Sequence, residues 1–160
     1  MSAGKNSQRP TDRTDRQMII SRVINAPREL VFKAFLDRDQ ISSWWGPNGF
    51  RTTTYEMDVR PGGKWRYTMH GPDGVDYPNL VVYLEVTPPE RLVYEHGTGI
   101  DDDKHEFVTT ITLEAQDDKT KVTLSALFAT VAQYEASKQF GAVEGGNQTL
   151  ARLDQHVTRK

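Results

Sequence analysis

From residue 51 to residue 128 the apolar side chains recur at about every second position, and this long stretch limits the possible folds more than any motif in the chain. "RTTTYEMDVRPGGKWRYTMHGPDG" reads as a hairpin turning at "RPGG", with Trp65, Tyr67 and Met69 on one face and Lys64, Arg66, Thr68 and His70 on the other. "YPNLVVYLEVTPPERLVYEHG" is a second hairpin, turning at Pro88-Pro89-Glu90. In "HEFVTTITLEAQDDKTKVTLSALF" the turn is "QDDKT", and Phe107, Thr109, Ile111 and Leu113 stand opposite Val122, Leu124, Ala126 and Phe128. Six consecutive antiparallel strands follow from this pattern.

The flanks have a different period. "RQMIISRVINA", residues 16–26, is β-branched and apolar enough for one more strand, and Pro27 stands where a helix begins. Leu30, Val31, Ala34 and Phe35 then recur at helical spacing, and "RDQISSWW" makes a second short helix that Gly46-Pro47 stops. After residue 134 the helical period returns through Ala136, Phe140, Val143, Leu150, Leu153 and Val157 with no proline, which predicts one long helix over 134–156. At about 1.5 Å per residue such a helix matches the width of a small sheet. The chain is therefore expected to be α+β: a curved antiparallel sheet of about seven strands wrapped around the C-terminal helix, with two short helices after the first strand.

A chain of 160 residues has room for one core, so a single domain is expected over residues 16–158. The opening "MSAGKNSQRPTDRTDR" holds almost no apolar residue after Met1, and residues 1–15 are expected to be a disordered tail. No apolar stretch is long enough for a signal peptide or a membrane span, which predicts a cytoplasmic protein without membrane association. The absence of cysteine removes disulfides, thiolate metal sites and cysteine nucleophiles together. A formal net charge of −2 offers no basic field for nucleic acid.

The stretches "INAPRELVFKAFLD", "WWGP", "MDVRPGGKWRYTMHGPDG", "EVTPPERLVYEHG" and "FGAVEGGNQTLARLDQHV" carry a resemblance in their joint order and spacing. The chain resembles the helix-grip superfamily, often called SRPBCC proteins, which includes START domains, the birch pollen allergen and the polyketide cyclases. Within it, the chain is most similar to bacterial proteins related to the activator of the heat-shock protein 90 ATPase. The resemblance implies the helix-grip fold and an internal cavity between sheet and C-terminal helix. It does not select a chemistry, because this fold hosts binders, cyclases, dehydratases and chaperone co-factors alike. One departure concerns Gly146, where relatives often carry Trp or Met and this chain has "EGGNQTL". The glycine pair either permits close contact or a slight bend, or leaves room that enlarges the cavity.

Neighbouring residues cannot share a face, so one of Trp44 and Trp45 is expected in the core and the other at the cavity mouth, unless both anchor the short helix. The concave face is expected to present Trp65, Tyr67, Met69, Tyr94, His96, Phe107, Thr109 and Phe128, faced by Phe140, Val143 and Gly146 from the helix. Such a lining suits a small hydrophobic or aromatic molecule, and it equally suits an ordinary core. His96 is the one candidate acid or base, since alternation places it with Trp65, Tyr67 and Tyr94 and turns Glu95 the other way; the alternative, which the residues favour, is a satisfied or solvent-reaching histidine. Glu85 falls in phase with Val81 and Tyr83, either as a buried carboxylate needing a partner or as an outward residue at a strand end.

Other chemistry is thin. His70, His96, His105 and His156 show no pair at ligand spacing, and "DDD" at 101–103, read as a solvated hairpin tip, lacks the features of a calcium loop; neither metal nor cofactor is expected. Ser42 and Ser43 sit in no nucleophile elbow, and "RPGGK" leads into a strand rather than a helix, so it is no phosphate cradle. The expected function is binding of a small hydrophobic or aromatic molecule, with a cyclase- or dehydratase-like enzyme in the same cavity as the alternative. A protein-interaction module is the remaining class. The outward positions Lys64, Arg66, Thr68, His70, Glu106, Thr110, Thr112 and Thr123 are nearly all polar, which argues against a large apolar outer face. A protein partner stays open, and the chain is expected to be a monomer or a homodimer.

Overall fold

The computed structural model describes residues 15–97 and 107–158. β1 (Gln17–Ile24) leads into α1 (Arg28–Leu36) and α2 (Arg38–Trp44). β2 (Arg51–Met57), β3 (Lys64–His70), β4 (Asp76–Thr87), β5 (Arg91–Gly97), β6 (Phe107–Gln116) and β7 (Lys119–Phe128) follow, and α3 (Val131–Gln139) and α4 (Ala142–Thr158) close the chain. The strands form one seven-stranded antiparallel sheet in the order β1-β7-β6-β5-β4-β3-β2. β2 to β7 are the expected meander, and β1 closes onto β7 with Ile20 opposite Leu124. Of the expected tail only Asp15 is described, and the "DDD" stretch with His105 and Glu106 lies outside the described residues.

The third hairpin pairs as its alternation requires, with Phe107 opposite Phe128, Thr109 opposite Ala126, Ile111 opposite Leu124 and Leu113 opposite Val122. The inner face buries Trp65, Tyr67, Val81, Tyr83, Leu92, Tyr94 and Ile111 in one cluster with Leu150 and Leu153 of α4 and with Val31, Phe32 and Phe35 of α1. Burial of each such side chain is worth about 1.5–3 kcal/mol, so this shared cluster sets where the helices sit. On α1 the buried residues are Val31, Phe32, Ala34 and Phe35, spaced at three and four; Leu30, which shares the helical spacing, is exposed.

The C-terminal helix is two helices rather than one. α3 is capped at Phe140, and Gly141 takes a φ of +91°, a left-handed conformation that glycine adopts without a Cβ penalty, while its N–H donates to the Lys138 carbonyl at 3.1 Å. This break resets the helical phase. Phe140 is 86% exposed and Val143 is also exposed, so neither faces the sheet as expected. The buried stripe of α4 lies in its second half, at Thr149, Leu150 and Leu153.

Simple alternation also fails at two bulges, where the β2–β3 register shifts between Thr54 and Glu56 and the β4–β5 register shifts between Tyr83 and Glu85. The extra residues, Tyr55 and Leu84, are exposed. The second bulge reverses the phase of β4, so Glu85 points outward opposite Val93 and accepts from Thr87 Oγ1 at 2.9 Å and Arg91 Nε at 3.1 Å. Those hydrogen bonds, from Thr87 first and Arg91 second, hold its carboxyl below the ordinary glutamate value. The outer face is less polar than the hairpin positions suggested: Ile19 and Val23 of the edge strand β1 and the bulged Leu84 are exposed apolar residues.

Candidate functional site

The tryptophan pair is positioned from both ends of α2. Asp37 caps its N-terminus by accepting from the N–H groups of Asp39 and Gln40 at 2.9 and 3.1 Å, and the Gln40 N–H chiefly holds its carboxyl below the usual range. At the other end α2 stops at Trp45, and Gly46 turns away with a φ of +107°. One guanidinium gathers the carbonyls of this turn: Arg152 of α4 donates to Gly46 O at 2.8 Å, Pro47 O at 3.0 Å, Ser43 O at 3.3 Å and Trp45 O at 3.5 Å. Burial among these groups lowers the Arg152 pKa from its ordinary value. Gln148 of α4 accepts from the Asn48 N–H at 3.0 Å, and His156 Nε2 meets Gln40 Oε1 at 3.0 Å.

The two indoles meet edge-on with their centroids 5.5 Å apart, yet they have different surroundings. Trp44 is 1% exposed, lies edge-on to Phe35 and donates its Nε1–H to the Ala34 carbonyl at 3.1 Å. Trp45 is half-buried on the concave side, with its ring 5.4 Å from Trp65 and its Nε1–H donating to Tyr67 Oη at 3.2 Å.

From Trp45 the aromatic rings run across the sheet. Trp65, Val81, His96, Phe107 and Phe128 occupy one cross-strand row. Trp65 stacks on Tyr67 at 4.0 Å, His96 stacks on Phe107 at 4.5 Å, Phe107 meets Phe128 at 5.0 Å, and Phe128 meets Tyr134 of α3 at 6.0 Å. Tyr67 Oη lies 3.4 Å from His96 Nε2, a long and weak contact that joins the two halves of the array. Indole can only donate, so Tyr67 Oη accepts from Trp45. Deeper in the core, burial pushes the Tyr83 and Tyr94 hydroxyls above the ordinary tyrosine range, and Thr109 hydrogen-bonds Tyr94.

The structure thus brings Trp45, Trp65, Tyr67, His96, Phe107 and Phe128 together. Trp44, Tyr94 and Thr109 lie beneath them in the core, and Met69 is half-buried on the same face. Gly146 faces the edge strand β1, where a Cβ would run into Ile20 Cδ1, so the glycine admits close apposition of α4. Two residues were missed. Asn79 is buried directly opposite Tyr67 and donates to Tyr77 O at 2.8 Å; counting by twos back from Val81 places it inward. Arg152 has no local sequence signal. Among the described residues no cluster of His, Asp or Glu could hold a metal ion, and no helix is long and apolar enough to cross a membrane.

A seven-stranded antiparallel sheet closed on a C-terminal helix, with two short helices after the first strand, defines the helix-grip class of α+β proteins. A family model described as "Activator of Hsp90 ATPase homolog 1-like protein" matches residues 25–158, and the chain belongs to that family. A crystal structure from Nitrosomonas europaea superposes with a TM-score of 0.82 at 22% identity, covering 91% of this chain and 96% of that one. One from Mycobacterium smegmatis gives 0.81 at 23% identity, with 93% and 94% covered, and a solution structure from Arthrobacter aurescens gives 0.83 at 22%, with 91% and 88% covered. At these identities the likeness is one of fold. No curated protein matches the sequence.

Proposed function

We propose that this protein binds a small hydrophobic or aromatic molecule on the concave face, its ring against Trp45 and Phe107 and a polar group on Tyr67 and His96. The observation that carries this reading is the Tyr67–His96 contact: 3.4 Å is too long for a strong hydrogen bond, and it lies inside an array of aromatic rings whose edge members, Trp45 and Phe107, are half-buried. A ligand oxygen within reach of both groups would hydrogen-bond to each, while its ring gains aromatic neighbours.

The test is a thermal-shift screen of phenolic and polycyclic aromatic compounds, followed by titration of any stabilising compound under tryptophan fluorescence. Trp45→Phe removes the donor to Tyr67 and part of the ring contact, about 1.4 kcal/mol together, so affinity should fall about tenfold. If no compound raises the melting temperature, or if Trp45→Phe binds as tightly as wild type, the reading fails. Turnover of a bound compound would instead support a cyclase- or dehydratase-like enzyme with His96 as its acid or base.

A further inference from the structure

The outer face of the sheet carries a second arrangement, unrelated to the aromatic array. Arg51, His70 and Asp76 form one cross-strand row over β2, β3 and β4, and Thr53 follows Arg51 on the same face of the edge strand β2. His70 Nδ1 lies 2.8 Å from Asp76 Oδ1, and His70 Nε2 lies 2.8 Å from Thr53 Oγ1. A carboxylate only accepts, so in the neutral ring Nδ1 carries the proton, and Nε2 is the acceptor for the Thr53 hydroxyl. Hydroxyl to imidazole to carboxylate is the order in which a nucleophilic oxygen is activated by a base that a third group orients. The His70 side chain is only 22% exposed, which holds the ring in place, while Thr53 is exposed and open to a reagent.

We propose that Thr53 is a nucleophilic modification site that takes an acyl group from small activated esters. Thr53 Oγ attacks the ester carbonyl carbon as its proton passes to His70 Nε2, and Asp76 stabilises the imidazolium so formed. When the bond to the leaving oxygen breaks, that oxygen departs with the proton from His70, and the acyl group remains on Thr53 as an ester. Arg51, opposite His70 on β2 and next to Thr53 on the same face of that strand, supplies a nearby cation for the negative charge that develops on the carbonyl oxygen. The face is open, so electrophile reactivity rather than shape selects the donor.

The experiment treats the full chain with p-nitrophenyl acetate and maps acetylation by peptide mass spectrometry. Thr53 should be acetylated at least about tenfold faster than Thr110, Thr112 and Thr123 of the same face, a lower bound for a positioned base in an open site. His70→Gln should bring Thr53 down to the level of those threonines, and Thr53→Val should remove the site. Asp76→Ala, at an exposed position, should also slow Thr53 and decides the matter if His70→Gln does not fold. Equal labelling of all four threonines in wild type, or undiminished Thr53 labelling in the His70 or Asp76 variant, would show a purely structural hydrogen-bonded chain.

Discussion

Replacing Gly146 by alanine probes how closely α4 lies on β1. A Cβ there would run into Ile20 Cδ1, whereas the next atom, Ile20 Cγ1, is 3.8 Å away at ordinary contact. Ile20 is 5% exposed, so its methyl cannot swing into solvent; relief needs a strained rotamer or a shift of the helix, at about 1–3 kcal/mol. Alanine in a helix interior returns about 0.8–1.0 kcal/mol relative to glycine. The balance is a loss of up to about 2 kcal/mol, or about 4–8 °C in melting temperature for a domain of this size. Ile20→Val deletes the offending methyl and alone costs about 0.5–1.5 kcal/mol. In that background Gly146→Ala should stabilise by about 1 kcal/mol, which makes the coupling in the double-mutant cycle about 1–3 kcal/mol. Urea unfolding at constant m-value reads all four corners. Gly145→Ala is the control, since its Cβ would meet Pro47 alone, at 3.4 Å from Cγ and 3.9 Å from Cβ, and should raise stability. Additive effects in the cycle, or equal stabilisation at 145 and 146, would refute the close apposition.

Arg152→Met should destabilise by about 2–3 kcal/mol, because the carbonyls of Ser43, Gly46 and Pro47 lose a charged donor, and it should shift the near-UV circular dichroism as the Trp45 turn loosens. An unchanged spectrum would mean that the turn holds without α4. Stability should be complete below about pH 10 and fall above it, because Tyr83 and Tyr94 stay protonated in the fold while the unfolded chain's tyrosines ionise there. Urea unfolding from about pH 9 to about pH 11 checks the sign, and Tyr83→Phe should flatten the fall; an unaltered slope in that variant would oppose the assignment.

The hairpins were legible because the strand pleat dictates a period of two, and a turn that fits its flanks leaves one register: Phe107 meets Phe128 as the pattern demands. The break between α3 and α4 was not. A glycine within a run lacking proline reads as a tolerated helix interior, and what decides is the left-handed conformation of Gly141 with its N–H on Lys138 O. The expectation that Phe140 and Val143 face the sheet failed with it.

The candidate site divides along a similar line. Trp65, Tyr67, His96, Phe107 and Phe128 come from counting by twos and pairing strands, whereas the Arg152 latch joins α4 to a turn more than one hundred residues earlier through backbone carbonyls that carry no side-chain signature. The phase errors are the informative ones. Alternation stops holding at Tyr55 and at Leu84, where one extra residue is inserted, and each insertion bends its strand and increases the local twist. Trp65 and Tyr67 of β3 lie between those two strands, so the insertion that turns Glu85 outward and the one at Tyr55 both curve the sheet around the rings that Trp45 covers. A regular sequence of the same composition would be easier to read and flatter, and a flat sheet packs poorly against a helix. The curvature of the sheet around these rings and the local failure of the period-two pattern therefore have one physical cause.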